Sequence, residues 1–261
     1  MLLKRIISGT LGVLIFILAI YWGNFPFFIF ISLVTILALK EFSQITQTNS
    51  SFSLILSGML FLVVSYLNLI YQYDFHLEYF FILILLIFFY ENYQKDDLRN
   101  ILQNISINIF AVIYIVFGLI YFIYLRNLDL QFALWIALIG TWLTDIAAFF
   151  VGKYYGKKKL APKISPNKTI EGALGGIVTS FLFIIAITLY LDIFSGIWVI
   201  YGILLPMIAV VGDLFESAIK RAVDVKDSGD LIPGHGGILD RFDSLFFTIP
   251  FTYFYLSLLL N

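Results

Sequence analysis

Two groups of charged side chains in the C-terminal half of this sequence have the types and spacing to handle phosphates together with a metal ion. From Asp213 to Asp243 there are seven acids (Asp213, Glu216, Asp224, Asp227, Asp230, Asp240 and Asp243) and four bases, a local balance of −3. On a helix, Asp213, Ser217 and Lys220 recur at i, i+4 and i+7 and share a face, and Asp240 and Asp243 do the same at i, i+3. Grouped carboxylates, in a chain with no cysteine and two histidines, suit a hard, oxygen-preferring cation such as Mg²⁺. Upstream, Val151 to Glu171 carries six lysines and one glutamate, a balance of +5. Within it, Ser165-Pro-Asn-Lys168-Thr-Ile-Glu171-Gly172 precedes an apolar stretch and has the pattern of a helix start. Free N–H groups at such a start, beside Lys168, would receive phosphate oxygens. A basic loop for a polyphosphate and an acidic cluster for its metal are the two halves of a phosphoryl or nucleotidyl transfer site.

Two further features adjoin these groups. Asp145 lies inside an apolar run with Thr141 and Thr144 on a similar helix face, and an intramembrane acid costs about 2.5–3.5 kcal/mol unless it meets a partner or a cavity. Lys226 to Gly237 is glycine-rich and contains His235; its glycines permit tight turns, and consecutive N–H groups there could form an anion nest. Simpler readings stand beside both loops. Lysines gather on cytoplasmic loops and near anionic lipids without catalysing anything, and glycines can serve turns alone.

The elements that must position these residues are membrane helices. Of the chain, 61% is hydrophobic and 13% charged, with mean hydropathy +0.97, against about 45–50% and 25% in soluble domains. A net charge of −1 supplies no global basic field for nucleic acid. Apolar stretches run approximately Ile6 to Trp22, Phe25 to Leu39, Phe52 to Tyr71, Leu77 to Tyr90, Ile105 to Leu125, Phe132 to Phe150, Gly172 to Leu191, Ile197 to Phe215 and Leu245 to Leu260. The first, after Lys4-Arg5, reads as a retained anchor rather than a cleaved signal. Nine spans put 15 of the 16 basic residues on one side and only Arg126 on the other. The positive-inside rule then sets the N-terminus in the cytoplasm and the C-terminus outside. The expected fold is therefore all-α and polytopic, with residues 1–130 a transmembrane scaffold of about five helices and 131–261 a catalytic transmembrane region with two cytoplasmic loops.

Residues 217–243 are specific enough to compare with a known family. Ser217-x-x-Lys220-Arg221-x4-Lys226-Asp227-x-Gly229-x-x-Ile232-Pro233-Gly234-His235-Gly236-Gly237-x-x-Asp240-Arg241-x-Asp243 resembles the signature of the phosphatidate cytidylyltransferases, without a departure in spacing. Thr144-Asp145 and Ser165-Pro-x-Lys168-Thr-x-Glu171-Gly172 resemble that family's second block. The resemblance implies the reaction of CTP with phosphatidic acid to give CDP-diacylglycerol and pyrophosphate, with Mg²⁺ required. It implies that Asp213, Asp240 and Asp243 coordinate metal, with Ser217 and Lys220 nearby. Lys226 and Arg241 hold phosphates on this reading, Ser165, Lys168 and the basic loop take the triphosphate, and Asp145 and His235 shape the site. It implies a multi-pass protein of the cell (inner) membrane with its site on the cytoplasmic side. It leaves open a homodimer and a second metal ion, monovalent or divalent. Two alternatives remain: a CTP-dependent lipid or polyprenol kinase of related architecture, and a transporter whose acids line a path, although a transporter should carry broken helices in both halves.

Overall fold

A computed structural model of the chain describes residues 2–47, 51–72, 76–93, 98–128, 130, 132–231 and 236–260. Each expected apolar stretch yields a helix over its described residues, as a backbone in hydrocarbon must satisfy its own hydrogen bonds. In chain order these are α1 (Leu2–Tyr21), α2 (Asn24–Ile45), α3 (Ser51–Tyr71), α4 (His76–Tyr93) and α5 (Leu98–Ala111). A π-helical turn (Val112–Val116) carries α5 into α6 (Phe117–Arg126), followed by α7 (Ala133–Tyr155). After strands β1 (Lys159–Ala161) and β2 (Ser165–Thr169) come α8 (Ile170–Tyr190), α9 (Gly196–Ala222), the short α10 (Leu239–Phe242) and α11 (Leu245–Leu260). Among the described residues, six helices are long and apolar enough to cross a membrane: α2, α3, Ile101–Arg126, α7, α8 and α9. The all-helical expectation needs one amendment, since the lysine-rich loop is an antiparallel hairpin pairing Lys159 with Thr169 and Ala161 with Ser165.

The chain separates into two compact units. One combines residues 1–124 with 227–241, and the other combines 125–226 with 242–261. The second unit is interrupted, because the glycine-rich segment 227–241 belongs with the N-terminal helices.

In the first unit the core is a stack of large side chains, with Phe27, Ile31, Leu39, Leu54, Leu62, Ile115, Leu119 and Phe122 fully buried. Phe16 lies 5.9 Å edge-to-face from Phe122 and 5.4 Å from Phe30, stacked. In the second unit α7 and α8 pack backbone to backbone. A Cβ on Gly176 would lie 2.5 Å from the Thr144 carbonyl oxygen, and one on Gly172 would lie 2.7 Å from that of Ala148. Thr144, Ala148 and Gly152 recur every fourth residue on α7 and face Gly172 and Gly176 on α8, the small-residue seam by which helices approach closely where lipid offers no hydrophobic drive. Buried hydroxyls add cross-links: Thr141 Oγ1 donates to Thr248 Oγ1 (3.0 Å), Ser180 Oγ donates to the Gly140 carbonyl (2.9 Å), and Tyr201 and Thr252 hydroxyls pair at 2.9 Å.

Candidate active site

The 27 residues of α9 would reach about 40 Å at 1.5 Å per residue, more than the roughly 30 Å of a hydrocarbon core. Its last turns therefore extend beyond the apolar run, and they carry Asp213, Glu216, Ser217 and Lys220. The helix ends where Asp224 adopts a left-handed conformation (φ +56°) and the Val225 N–H bonds back to the Lys220 carbonyl at 2.9 Å, a Schellman-type stop. Lys220 pairs with Glu216 one turn earlier at 2.6 Å.

β2 lies against this helix end. Lys168 on β2 forms an ion pair with Asp213. Arg221 reinforces the junction, donating from Nε to the Ile164 carbonyl (3.3 Å) and from Nη1 to that of Val225 (3.1 Å). The helix start expected within Ser165 to Gly172 falls at Ile170: Ser165 belongs to β2, and Thr169 is the cap, its hydroxyl accepting from Gly172 N–H at 3.1 Å. Glu171, one residue short of the capping-box position, accepts from the Lys157 and Lys158 amides at 2.9 and 3.1 Å. That carboxylate ties the start of the hairpin to the start of α8 and leaves Lys157, Lys158, Lys159 and Lys163 exposed.

Asp213, Lys168, Ser165 and Asp145 line one cleft of about 570 Å³, within the range of small-molecule sites. Lys153 of the basic loop lines it too, as do Asn167 and Thr169, which sequence reasoning did not single out. Asp145 interacts electrostatically with Lys168, Asp213 and Asp243. Asp243 is brought up by backbone proximity, since Gly212 packs so closely that a Cβ there would lie 3.0 Å from Ser244 Cα and 3.1 Å from the Asp243 carbonyl oxygen. Burial first, and the Asp213 charge second, push the Asp243 carboxyl up to about 7, against the pull of Lys168 and Lys220.

The other expected residues are dispersed. Ser217 and Lys220 are half-buried on α9, while Lys226 and Arg241 are exposed. His235 lies outside the described residues. Of the expected metal set, Asp213 and Asp243 lie in the second unit and Asp240 in the first. There its Oδ2 accepts from the Ser228 amide (3.0 Å), the Ser228 hydroxyl (3.0 Å) and the Gly237 amide (2.9 Å). Among the described residues no three His, Asp or Glu side chains form a ready metal cage. Mg²⁺ is commonly held by one or two carboxylates plus substrate phosphates, and Asp213 and Asp243, two mutually repelling oxygen donors beside a lysine, fit that requirement. Glu41 on α2 was also passed over: it is 4% exposed and accepts hydrogen bonds from the Ile238 and Leu239 amides. Its signal was an acid three residues after Ala38 and seven after Val34, on the apolar face of its helix.

Membrane-type helices that present Asp145, Asp213 and Lys168 to one cleft define a multi-pass membrane protein with a charged pocket. Residues 3–259 match the cytidylyltransferase family, and the chain belongs to that family, which makes it a nucleotidyltransferase. It is 38% identical over 282 aligned residues to a phosphatidate cytidylyltransferase of Bacillus subtilis, covering 98% of this chain and 97% of that protein. It is 47% identical over 142 residues to one of Staphylococcus epidermidis and 45% identical over 142 residues to one of Staphylococcus aureus, covering 54% of each partner in both cases.

Proposed function

We propose that this protein transfers the cytidylyl group of CTP to phosphatidic acid, forming CDP-diacylglycerol and releasing pyrophosphate. The observation that carries the reading is similarity to a phosphatidate cytidylyltransferase along nearly the whole chain, joined by a cleft in which Lys168 and Asp213 meet.

The nucleophile is the lipid's own phosphate, which is anionic at neutral pH with a second pKa near 6. No Ser, Cys or His base is needed to activate it. A phosphate oxygen of the lipid forms a bond to the α-phosphorus of CTP, the bond from that phosphorus to the bridging oxygen of the β-phosphate breaks, and pyrophosphate leaves with the electron pair. The protein's work is to align two anions and neutralise their charge. Lys168 binds phosphate oxygens in the cleft, assisted by Lys153 and the hairpin lysines, and Asp213 holds the ammonium in place until substrate arrives. Ser165 and Asn167 offer hydrogen bonds to the triphosphate. Lys220, steadied by Glu216, moderates the charge at Asp243, and Lys226 attracts phosphates at the approach. Asp145 shapes the cleft floor.

Asp213 and Asp243 are the carboxylates that would hold Mg²⁺, which when bound supplies charge neutralisation along the triphosphate. Asp240 contributes by ordering the glycine-rich segment. The acyl chains of phosphatidic acid stay in the bilayer. Nine spans, with a cytoplasmic N-terminus and an outer C-terminus in the cell membrane, put the basic hairpin on the CTP side, in line with the segregation of lysine and arginine. The test is Mg²⁺-dependent release of pyrophosphate from CTP and phosphatidic acid by purified protein, with CTP labelled at the α- or γ-phosphate. Label from the α-phosphate in lipid supports the reading. Label from the γ-phosphate in lipid would assign a kinase, and no transfer of either would overturn the enzyme assignment.

A further inference from the structure

The hairpin of residues 157–169 is one wall of the cleft, contributing Leu160, Ser165, Asn167, Lys168 and Thr169 to its lining. Its strands have three and five residues, and a two-stranded hairpin of that size is at best marginally stable by itself in water. Its direction therefore has to come from contacts at its two ends. The second unit supplies them through two charged side chains that the transfer scheme leaves unused, Glu171 and Arg221, and neither lines the cleft.

At the root, Glu171 in the first turn of α8 reaches back to the chain that leaves α7. Its Oε2 accepts from the Lys157 amide at 2.9 Å and from the Lys158 amide at 3.1 Å, while the Ile170 amide donates to the Lys158 carbonyl at 2.9 Å. Helix start and strand start are closed into one ring of hydrogen bonds. Space at this junction is tight: a Cβ on Gly156 would collide with the Gly152 carbonyl oxygen, and one on Gly152 would lie 3.0 Å from Thr169 Oγ1.

At the tip, Arg221 near the end of α9 donates from Nε to the Ile164 carbonyl at 3.3 Å and from Nη1 to the Val225 carbonyl at 3.1 Å. One guanidinium joins the turn of the hairpin to the stop of α9, which its planar fork suits better than a lysine ammonium would. Between the two anchors stands Lys168, one residue before the Thr169 cap and paired with Asp213. The anchoring bonds lie at the surface, where water would satisfy the same backbone groups. What the charged partners add is a fixed direction, through bonds stronger than those between neutral groups.

We propose that Glu171 and Arg221 are positioning residues for catalysis: they hold the hairpin by its root and its tip, and so set the point at which Lys168 meets a substrate phosphate, without touching substrate themselves. The proposal rests on the cytidylyl-transfer reading. A group misplaced by about 1 Å can cost about 100-fold in rate, so Glu171→Gln and Arg221→Met should each lower kcat by about 10–100-fold. The two substitutions change the local charge in opposite senses, one removing an anion and the other a cation. Side chains that acted on CTP through charge alone would shift KM in opposite directions, down for Glu171→Gln and up for Arg221→Met, at unchanged kcat.

The chain has no cysteine, so single reporters are clean. Spin labels at Lys163→Cys, exposed at the hairpin turn, and at Tyr190→Cys, exposed at the last residue of α8, are compared by electron paramagnetic resonance with and without each substitution in the full-length detergent-solubilised protein. Kinetics are read on unlabelled protein. The expected result is a more mobile label at position 163, an unchanged one at 190, and a fall in kcat for both substitutions. An unchanged label at 163, equal loosening at 190, a kcat within twofold of wild type, or opposite shifts in KM at unchanged kcat would each overturn the proposal. Should one variant fail to accumulate in membranes, the other is put through the same readings and decides by the same outcomes. A wild-type protein that forms no pyrophosphate would bring down the cytidylyl-transfer reading itself, whereas an active wild type with any of those overturning results removes only this proposal.

Discussion

Lys168 and Asp213, 45 positions apart in sequence, are joined in an ion pair that links the basic hairpin to the acidic end of α9. Their side chains are 26% and 27% exposed, an openness at which an ion pair contributes about 0–1 kcal/mol to stability, although the Lys168 Nζ atom itself is covered. Its purpose is placement.

Lys168→Met should therefore lower kcat/KM for CTP by at least about 100-fold, as expected for loss of a charged contact strengthened in the transition state, with a melting temperature almost unchanged. Lys168→Arg should keep the charge and part of the activity. Steady-state kinetics and thermal unfolding on the same samples check this. A large loss of stability with modest loss of rate would make the pair structural.

Asp243 sets a pH dependence. Its carboxyl titrates at about 7 in the fold instead of the ordinary 3.8, so the folded state holds the proton more tightly than the unfolded chain. Without metal, its contribution to stability is greatest at acid pH and is lost as pH rises from about 4 to about 7, at up to about 1.4 kcal/mol per pH unit. Asp243→Asn should flatten that part of the stability profile and raise the melting temperature at pH 8 while abolishing most turnover. Protons should compete with Mg²⁺ at this group, so the Mg²⁺ concentration for half-maximal rate should rise as pH drops below 7. A wild-type requirement that is flat from pH 6 to 8 would remove Asp243 from the metal set.

The α7–α8 seam leaves no space at Gly176, where the first neighbour of an added methyl is the backbone oxygen of Thr144 rather than a movable side chain. Gly176→Ala should destabilise the protein by about 1–3 kcal/mol and reduce kcat through the displacement of neighbouring Asp145. Gly196→Ala, where an added Cβ meets nothing within 4 Å, is the matched control.

Topology can be read with the same cysteine-free background. A membrane-impermeant maleimide should label Lys158→Cys in inside-out vesicles and Arg126→Cys in right-side-out ones, as the charge segregation requires. Labelling of both from one side would break the nine-span arrangement.

Much of this was legible in local patterns. Long apolar stretches announce helices because a backbone in lipid has no other partner, and Asp213, Ser217 and Lys220 could be placed on one helix face from their spacing alone. The β-hairpin was not legible. Ser165 to Thr169 contains a proline and four polar residues and lacks a strand's alternation, and it is held extended by its pairing with Lys159 to Ala161 across the hairpin. Nor could spacing separate the roles of Asp240 and Asp243, three residues apart, since one is enclosed by its own segment and the other lies beside Asp213.

The sequence by itself determined a helical membrane protein with scarce charge concentrated in two segments, because hydrophobic length and local charge are properties of neighbouring residues. Only the tertiary structure decided that Lys168 meets Asp213, that residues 227–241 fold with the N-terminal helices, and that Glu41 receives their amides. Those are choices among distant partners, made by the need to satisfy each buried charge where the chain finally packs.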